Sequence, residues 1–250
     1  MEIEYGNLVI EVTRRCNMAC AHCLRGDAQD IDIDDAIIAK TLEHAVSIDC
    51  LTFTGGEPSL NVPAMRRTLD LMKEKEIELR GYFIATNGKT VTDGFIRFLI
   101  DLHAYVLACN GGYIEEGSCG VALSADEFHE PVPTGNEYML RSLAAYSDVK
   151  RRSYAHGRTM LLNRGRARML DGFETTEPFT SSDPCISETD RGFRAEETIM
   201  ITAAGNVVTD CDYEYGNEAY ETIGSLDDSD MPHIMAEFIG VDIDAMGNCA

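Results

Sequence analysis

The sequence predicts an α/β protein whose parallel strands form a partial, six-stranded barrel. Three observations predict it. Apolar, β-branched runs alternate with helix-periodic segments through five units, the pattern of parallel strands joined by crossover helices. The chain has 250 residues, and what remains after those units is too short to close an eight-unit barrel. The glycine-, cysteine- and acid-containing motifs fall at the C-terminal ends of the strands, where α/β sheets place their chemistry.

The elements follow in order. Leu8-Val9-Ile10-Glu11-Val12-Thr13 is apolar and β-branched and reads as the first strand. A loop with three cysteines, Cys16, Cys20 and Cys23, follows it directly. Asp32 or Asp34 can cap a helix from about Asp35 to Ser47, with Ile37, Ile38, Leu42 and Val46 at helical spacing. Cys50-Leu51-Thr52-Phe53-Thr54 is the second strand, with Cys50 a small buried hydrophobe rather than a ligand. It runs into Gly55-Gly56-Glu57-Pro58, where glycines let the backbone turn sharply and approach a ligand. Asn61 can cap a helix from about Pro63 to Lys75. Gly81 to Ala85 is the third strand and ends in Thr86-Asn87-Gly88. Thr92 or Asp93 opens the next helix, and Tyr105 to Ala108 either ends that helix or forms a short strand. Gly120 to Ser124 is the fourth strand, leading into Asp126 and His129. Tyr138 to Tyr146 reads as helix, Thr159 to Leu162 as a fifth strand, and Asn163-Arg164-Gly165-Arg166-Ala167 as the turn after it.

The cysteine spacing is C-x3-C-x2-C. Three thiolates this close can converge on one metal centre, and an iron–sulfur cubane is usually held by four. Three leave one iron open, and an open coordination position points to chemistry rather than scaffolding. A structural zinc site with His22 as fourth ligand is the bland alternative.

The C-x3-C-x2-C loop and the strand ending in Gly55-Gly56-Glu57-Pro58, about one βα unit later, together resemble the signature of the radical S-adenosylmethionine (radical SAM) enzymes. The resemblance implies a partial (β/α)6 TIM barrel. Cys16, Cys20 and Cys23 would hold a [4Fe–4S] cluster whose fourth iron is chelated by S-adenosyl-L-methionine (SAM). It further implies that Gly55, Gly56, Glu57 and Pro58 meet the methionyl group, and that Asn87 and Ser124 lie near SAM. Arg166 would lie near its ribose and carboxylate. The position before the third cysteine is commonly a large aromatic set against adenine; here it is His22, smaller and more polar. Asp126 and His129 are candidates for aligning or reacting with substrate, with an exposed loop histidine as the ordinary reading of His129. The implied activity is reductive cleavage of SAM to a 5′-deoxyadenosyl radical that abstracts hydrogen from substrate. The electron would come from a reductant such as flavodoxin or ferredoxin, and the family's oxygen sensitivity would follow.

The C-terminal region changes character. Thr176 to Pro184 is polar and proline-containing, which divides the chain into a core, residues 1–178, and an acidic extension, residues 179–250. Thr198 to Cys211 reads as a β-hairpin turning at Gly205-Asn206, followed by Ile223-Gly224-Ser225-Leu226. This resembles part of the SPASM and Twitch extensions of radical SAM peptide-modifying enzymes. It implies a peptide or protein side chain as substrate, with a small metabolite as the alternative. Cys185 and Cys211 are the candidates for a second iron–sulfur cluster, against a hairpin that only closes the barrel. Cys249 is a candidate hydrogen-atom donor if the tail folds back.

Composition bounds the rest. The net charge is −22, which disfavours a nucleic-acid partner. Eight Lys or Arg lie between Arg141 and Arg168 against one acid, whereas thirteen Asp and Glu follow Arg194 with no Lys or Arg. Either these two regions pack together, which is the favoured reading, or the basic segment receives an anionic group. Nine cysteines, an acidic N-terminus and the lack of a long apolar run point to a reducing cytoplasm and no membrane. Two other classes compete with the enzyme: an iron–sulfur electron-transfer protein and a zinc-binding interaction module.

Overall fold

The computed structural model describes residues 1–124, 126–143, 145–148, 153–154, 158–176 and 184–243. The chain opens with β1 (Glu2–Thr13), α1 (Asp35–Thr41), β2 (Ala45–Gly55), α2 (Val62–Glu74), β3 (Glu78–Thr86), α3 (Asp93–Cys109), β4 (Cys119–Leu123), α4 (Thr134–Arg141) and β5 (Tyr146–Asp148). A small sheet follows, β6 (Ser153–Tyr154), β7 (Arg158–Leu162) and β8 (Glu174–Thr176). The last part holds β9 (Ile186–Thr189), β10 (Gly192–Ile201), β11 (Asn206–Val208), α5 (Glu218–Glu221), β12 (Thr222–Ser225) and α6 (Met231–Ile239).

The main sheet runs β12-β11-β10-β1-β2-β3-β4-β5, with β9 hydrogen-bonded to β10. From β10 through β5 every neighbouring pair is parallel. The six parallel strands of the expected partial barrel are therefore present. The two outer places are filled differently from the expectation. Thr159–Leu162 does form a strand, within β7, but it pairs with β6 and β8 and stands outside the main sheet. The place beside β4 is taken by β5, whose first residue, Tyr146, is the expected last residue of a helix. The place beside β1 is taken by β10, the first arm of the C-terminal hairpin. That hairpin turns where expected, with Gly205 at a φ of 82° and β11 returning antiparallel.

Alternation along the strands separates two faces. Leu8, Ile10 and Val12 of β1, Leu51 and Phe53 of β2, and Tyr82 and Ile84 of β3 join the helices in the main core. Phe53 meets Phe98 of α3 edge to face, ring centres 5.7 Å apart. Burial of each such ring contributes roughly 1.5–3 kcal/mol. The other face carries Asn7, Val9, Cys50, Thr52, Phe83 and Ala85, which line a cavity.

Helix boundaries moved for local reasons. α1 starts as expected, because the Asp34 side chain accepts from the Ala36 N–H at 2.7 Å, but it ends at Thr41 rather than Ser47. Val46 and Ile48 fit a strand as well as a helix, and β2 pairs with β1 from Ile3↔Ala45 onward. Backbone pairing along a buried parallel strand outweighs the weak preference of one extra helical turn. Asn61 caps α2 through the Ala64 N–H, and Thr92 caps α3 through the Phe95 N–H. Tyr105 to Ala108 continue α3; the Tyr105 hydroxyl donates to the Ile77 carbonyl at 2.6 Å. α4 starts at Thr134 and ends at Arg141, so Tyr146 belongs to β5.

Candidate cluster and cofactor site

The cluster loop leaves β1 at Thr13 and is held by three other segments before it reaches α1. Gly55 and Gly56 make the first hold. A Cβ on Gly55 would lie 2.0 Å from the Thr13 carbonyl oxygen, and one on Gly56 2.3 Å from that of Arg15. The Gly56 and Glu57 N–H groups donate to those two carbonyls at 2.9 Å each. Both glycines are thus required by the backbone that delivers Cys16, whatever else they approach.

The second hold is the turn after β3. Asn87 Nδ2 donates to Asn17 Oδ1 at 2.8 Å, Asn17 Nδ2 donates to Thr90 Oγ1 at 3.0 Å, and Lys89 Nζ donates to the Asn17 carbonyl at 3.1 Å. This turn is itself fastened by Glu57. Its carboxylate, 1% exposed, accepts from Thr86 Oγ1 at 2.7 Å, the Asn87 N–H at 2.8 Å and the Ser59 N–H at 3.1 Å. The Glu57 side chain therefore joins the glycine turn to the Asn87 turn.

The third hold is the Gly165 turn. The Arg166 N–H donates to the Cys23 carbonyl at 2.9 Å, and a Cβ on Gly165 would lie 2.4 Å from both the Cys23 and Leu24 carbonyl oxygens. Gly165 has a φ of 54°, and its N–H donates to Glu214 at 2.6 Å.

These holds bring Cys16, Cys20, Cys23, His22, Gly55, Gly56, Glu57, Pro58, Asn87, Ser124 and Arg166 to the wall of one cavity of about 560 Å³. His129 and Cys211 line it too. The three loop thiols lie within electrostatic reach of one another. Burial, reinforced by the charges of Cys16 and Cys23, raises the Cys20 thiol above its ordinary range. Burial likewise raises Cys16, with Glu57 and Cys23 adding to it. Binding iron at such thiols displaces their protons.

His22 stacks on Phe128 with ring centres 4.6 Å apart and meets His129 edge-on at 5.2 Å. Asp126 accepts from or pairs with His129 Nδ1 at 2.7 Å and stands 3.7 Å from His22 Nε2. Burial pulls the His22 imidazole below its usual range, with Asp126 opposing. Burial pushes the Asp126 carboxyl up, but hydrogen bonds from His129 and the Phe128 N–H outweigh it and leave it low. Asp126 and His129 thus form a pair, and they include His22 in it.

The fit of a polar ligand and a cluster can be tested on atoms that have nothing else to bind. Among the described residues, His22 Nδ1, Arg166 Nε and Tyr215 Oη are buried without a hydrogen-bond partner, and all three residues line the cavity. Native proteins rarely leave such atoms unpaired. Thiolates are the donors iron–sulfur clusters use. The donor set fits both groups.

The structure also assembles residues that sequence reasoning missed. Arg14 and Arg25 flank the cysteines, and each lies over a tyrosine of the C-terminal segment: Arg14 over Tyr215 at 4.6 Å and Arg25 over Tyr213 at 4.3 Å. Arg14 also bonds Glu11 at 2.9 Å and Glu218 at 2.7 Å. Only the alternation of two tyrosines in a polar stretch after the hairpin hinted at this. The basic segment meets the acidic one: Arg164 pairs with Glu221 at 2.6 Å and Arg168 with Glu214 at 2.9 Å, while Arg166 pairs with Asp27 at 3.1 Å. The favoured explanation of the charge asymmetry holds for these residues. Cys185 is exposed and enters β9 at a φ of 50°. Cys211 lines the cavity, and its thiol is pushed up to about 11 by burial and by Asp212. Cys249 lies outside the described residues.

With this geometry in hand, the comparison with known proteins defines the class. The Radical SAM superfamily model matches residues 10–150, and the chain belongs to that superfamily, which uses a [4Fe–4S] cluster and SAM. An uncharacterized protein of Methanocaldococcus jannaschii is 26% identical over 91 residues, 35% of this chain and 32% of that protein. The chain thus spans about a third of the length of the curated relative it matches. Among solved structures, anSMEcpe with bound AdoMet and the Cp18Cys peptide superposes with a TM-score of 0.51 at 13% identity, covering 94% of this chain and 80% of that one. SuiB of Streptococcus suis, bound to its precursor peptide SuiA, gives 0.45 at 12% identity, covering 97% and 66%. At these identities the first likeness is one of fold. Among the described residues no helix is long and apolar enough to cross a membrane.

Proposed function

We propose that this chain is a radical SAM enzyme acting on a peptide or protein side chain. The observation that carries the reading is the convergence of Cys16, Cys20, Cys23, the Gly55–Pro58 turn, Asn87, Ser124 and Arg166 on one cavity. Bound there, the cluster and SAM supply a one-electron cleavage of the sulfonium and a 5′-deoxyadenosyl radical able to take hydrogen from substrate. Cys16, Cys20 and Cys23 ligate iron. The backbone of the Gly55–Pro58 turn receives the cationic methionyl amine, and Arg166 receives an anionic group of SAM. His22, stacked on Phe128 and with its Nδ1 unpartnered among the described residues, would contact the adenine of bound SAM. Cys211, Asp212 and Tyr215 of the C-terminal segment cover one wall of the cavity and keep water from the radical.

Peptide is favoured as substrate because the anSMEcpe structure holds one, and because the C-terminal hairpin region walls the cavity with Cys211, Asp212 and Tyr215. The electron comes from a low-potential reductant of the flavodoxin or ferredoxin kind. Anaerobic reconstitution should give four irons and four sulfides per chain, and SAM with dithionite should yield 5′-deoxyadenosine. A protein that binds zinc instead, or holds a cluster but forms no 5′-deoxyadenosine, would refute the reading. So would a Cys20→Ala variant that releases 5′-deoxyadenosine at the parent rate.

A further inference from the structure

Tyr215 walls the cavity, but the function above makes no use of its hydroxyl. It sits in the C-terminal segment, 192 positions after Cys23 in sequence, yet its backbone is bonded to Arg25, two residues past Cys23. Its ring is fixed on two sides and its backbone at one point. The Arg14 guanidinium lies over it at 4.6 Å, the Tyr213 ring meets it edge-on at 6.0 Å, and its N–H donates to the Arg25 carbonyl at 3.1 Å. The ring lines the cavity, and its hydroxyl is buried with no partner among the described residues. Leaving a buried hydroxyl unpaired costs about 1–3 kcal/mol. Phenylalanine would fill the same space without that cost, so the hydroxyl needs an acceptor.

We propose that Tyr215 is a positioning residue for the iron–sulfur cluster, its hydroxyl donating a hydrogen bond to a cluster sulfur on the Cys23 side. The inference rests on the cluster reading above. An iron-bound thiolate or sulfide is an acceptor, and Cys23 shares the cavity wall with Tyr215 and lies two residues before the Arg25 carbonyl that holds it. A hydrogen bond to a cluster sulfur draws electron density from it and favours the reduced state, which carries one more negative charge. The C-terminal segment thereby does more than close the barrel: it sets how readily the centre accepts its electron. Arg14 and Arg25, which flank the three cysteines, hold Tyr215 in place, Arg14 through its guanidinium over the ring and Arg25 through its backbone carbonyl.

The test is the midpoint potential of the reconstituted cluster, followed by electron paramagnetic resonance during a redox titration without SAM. Tyr215→Phe removes one oxygen and keeps the ring. The expected result is a shift to more negative potential at unchanged iron and sulfide content. Tyr220→Phe, 89% exposed, is the control and should leave the potential at the parent value. A Tyr215→Phe cluster with the parent potential overturns the proposal while leaving the enzyme reading intact. Failure of the parent protein to take up any cluster overturns both. If the phenylalanine variant loads poorly, the parent decides. Its reduced cluster must show, by proton electron–nuclear double resonance, a strongly coupled proton lost in D2O, and its absence refutes the hydrogen bond.

Discussion

Glu57→Gln isolates the bond set that joins the two turns under the site. The carboxylate accepts from Ser59 N–H and Thr86 Oγ1 on one oxygen and from Asn87 N–H on the other. Glutamine keeps the size and one acceptor. If its Oε1 faces Ser59 and Thr86, its NH2 group points at the Asn87 N–H, donor against donor. If it is reversed, the Ser59 N–H loses its acceptor instead. Either way one buried N–H is orphaned, costing about 1–3 kcal/mol, and the remaining bonds lose their charge assistance. The sum is roughly 3 kcal/mol, since Glu57 is 1% exposed and water cannot enter to compensate. At about 2–4 °C per kcal/mol for a chain of this size, the melting temperature of the metal-free protein should fall by roughly 6–12 °C. Because Asn87 in turn holds Asn17, iron uptake should fall as well. A metal-free Glu57→Gln protein melting within about 2 °C of the parent would refute the claim that this carboxylate is structural.

Three further outcomes follow from the same geometry. Gly165→Ala meets the Cys23 and Leu24 carbonyls at 2.4 Å in a left-handed conformation, so it should cut iron content at least severalfold while the circular dichroism of the sheet persists; full loading would show the turn is not a hold. Burial raises the Glu218 carboxyl, but hydrogen bonds from Asn206, Thr202 and Arg14 outweigh it and hold it below the ordinary range. Its contribution is therefore present above the unfolded value, about pH 4.3, and is lost as pH falls through the lower folded value, so Glu218→Gln should flatten the acid limb of a stability–pH curve. An unchanged limb would count against it. Cys211, at about 11, should be alkylated by iodoacetamide at pH 8 at least tenfold more slowly than exposed Cys185, as peptide mapping would show; equal rates would contradict its burial.

Much of this arrangement was legible because local chemistry fixes it. Asp34, Asn61 and Thr92 cap their helices through bonds two or three residues away, so sequence alone places those starts. The glycine turn and the cysteine loop are short motifs at strand ends, and the backbone crowding at Gly55 and Gly56 is why no other residue serves there. What escaped is set by distant partners. Val46 at helical spacing from Leu42 reads equally as a strand residue, and only the register with β1 decides it. Thr159–Leu162 has strand character, but nothing in those residues says that β10, more than thirty positions later, takes the place beside β1. Arg14, Arg25 and Tyr213 carry no motif at all; their meaning lies in contacts across nearly two hundred residues.

Those long-range contacts bear on why the C-terminal segment matters to a site whose motifs all lie earlier. Glu11 is wholly buried, and its Oε2 accepts from Arg14, Tyr213 and the Ala203 N–H. Arg14 in turn reaches Glu218 of α5. Glu11 shares its bonds among Arg14, Tyr213 and Ala203, and Arg14 is shared between Glu11 and Glu218, so the strand that delivers Cys16 is tied energetically to the hairpin and to α5. A chain truncated before β10 would keep the cysteine loop, the Gly55–Pro58 turn and the turns at Asn87, Ser124 and Arg166. It would also expose the β1 edge along eight residue pairs and strip Glu11 of both the phenol and the Ala203 N–H. Such a truncation should therefore lose iron uptake before it loses the βα units, a result that limited proteolysis with iron analysis of the fragments can check.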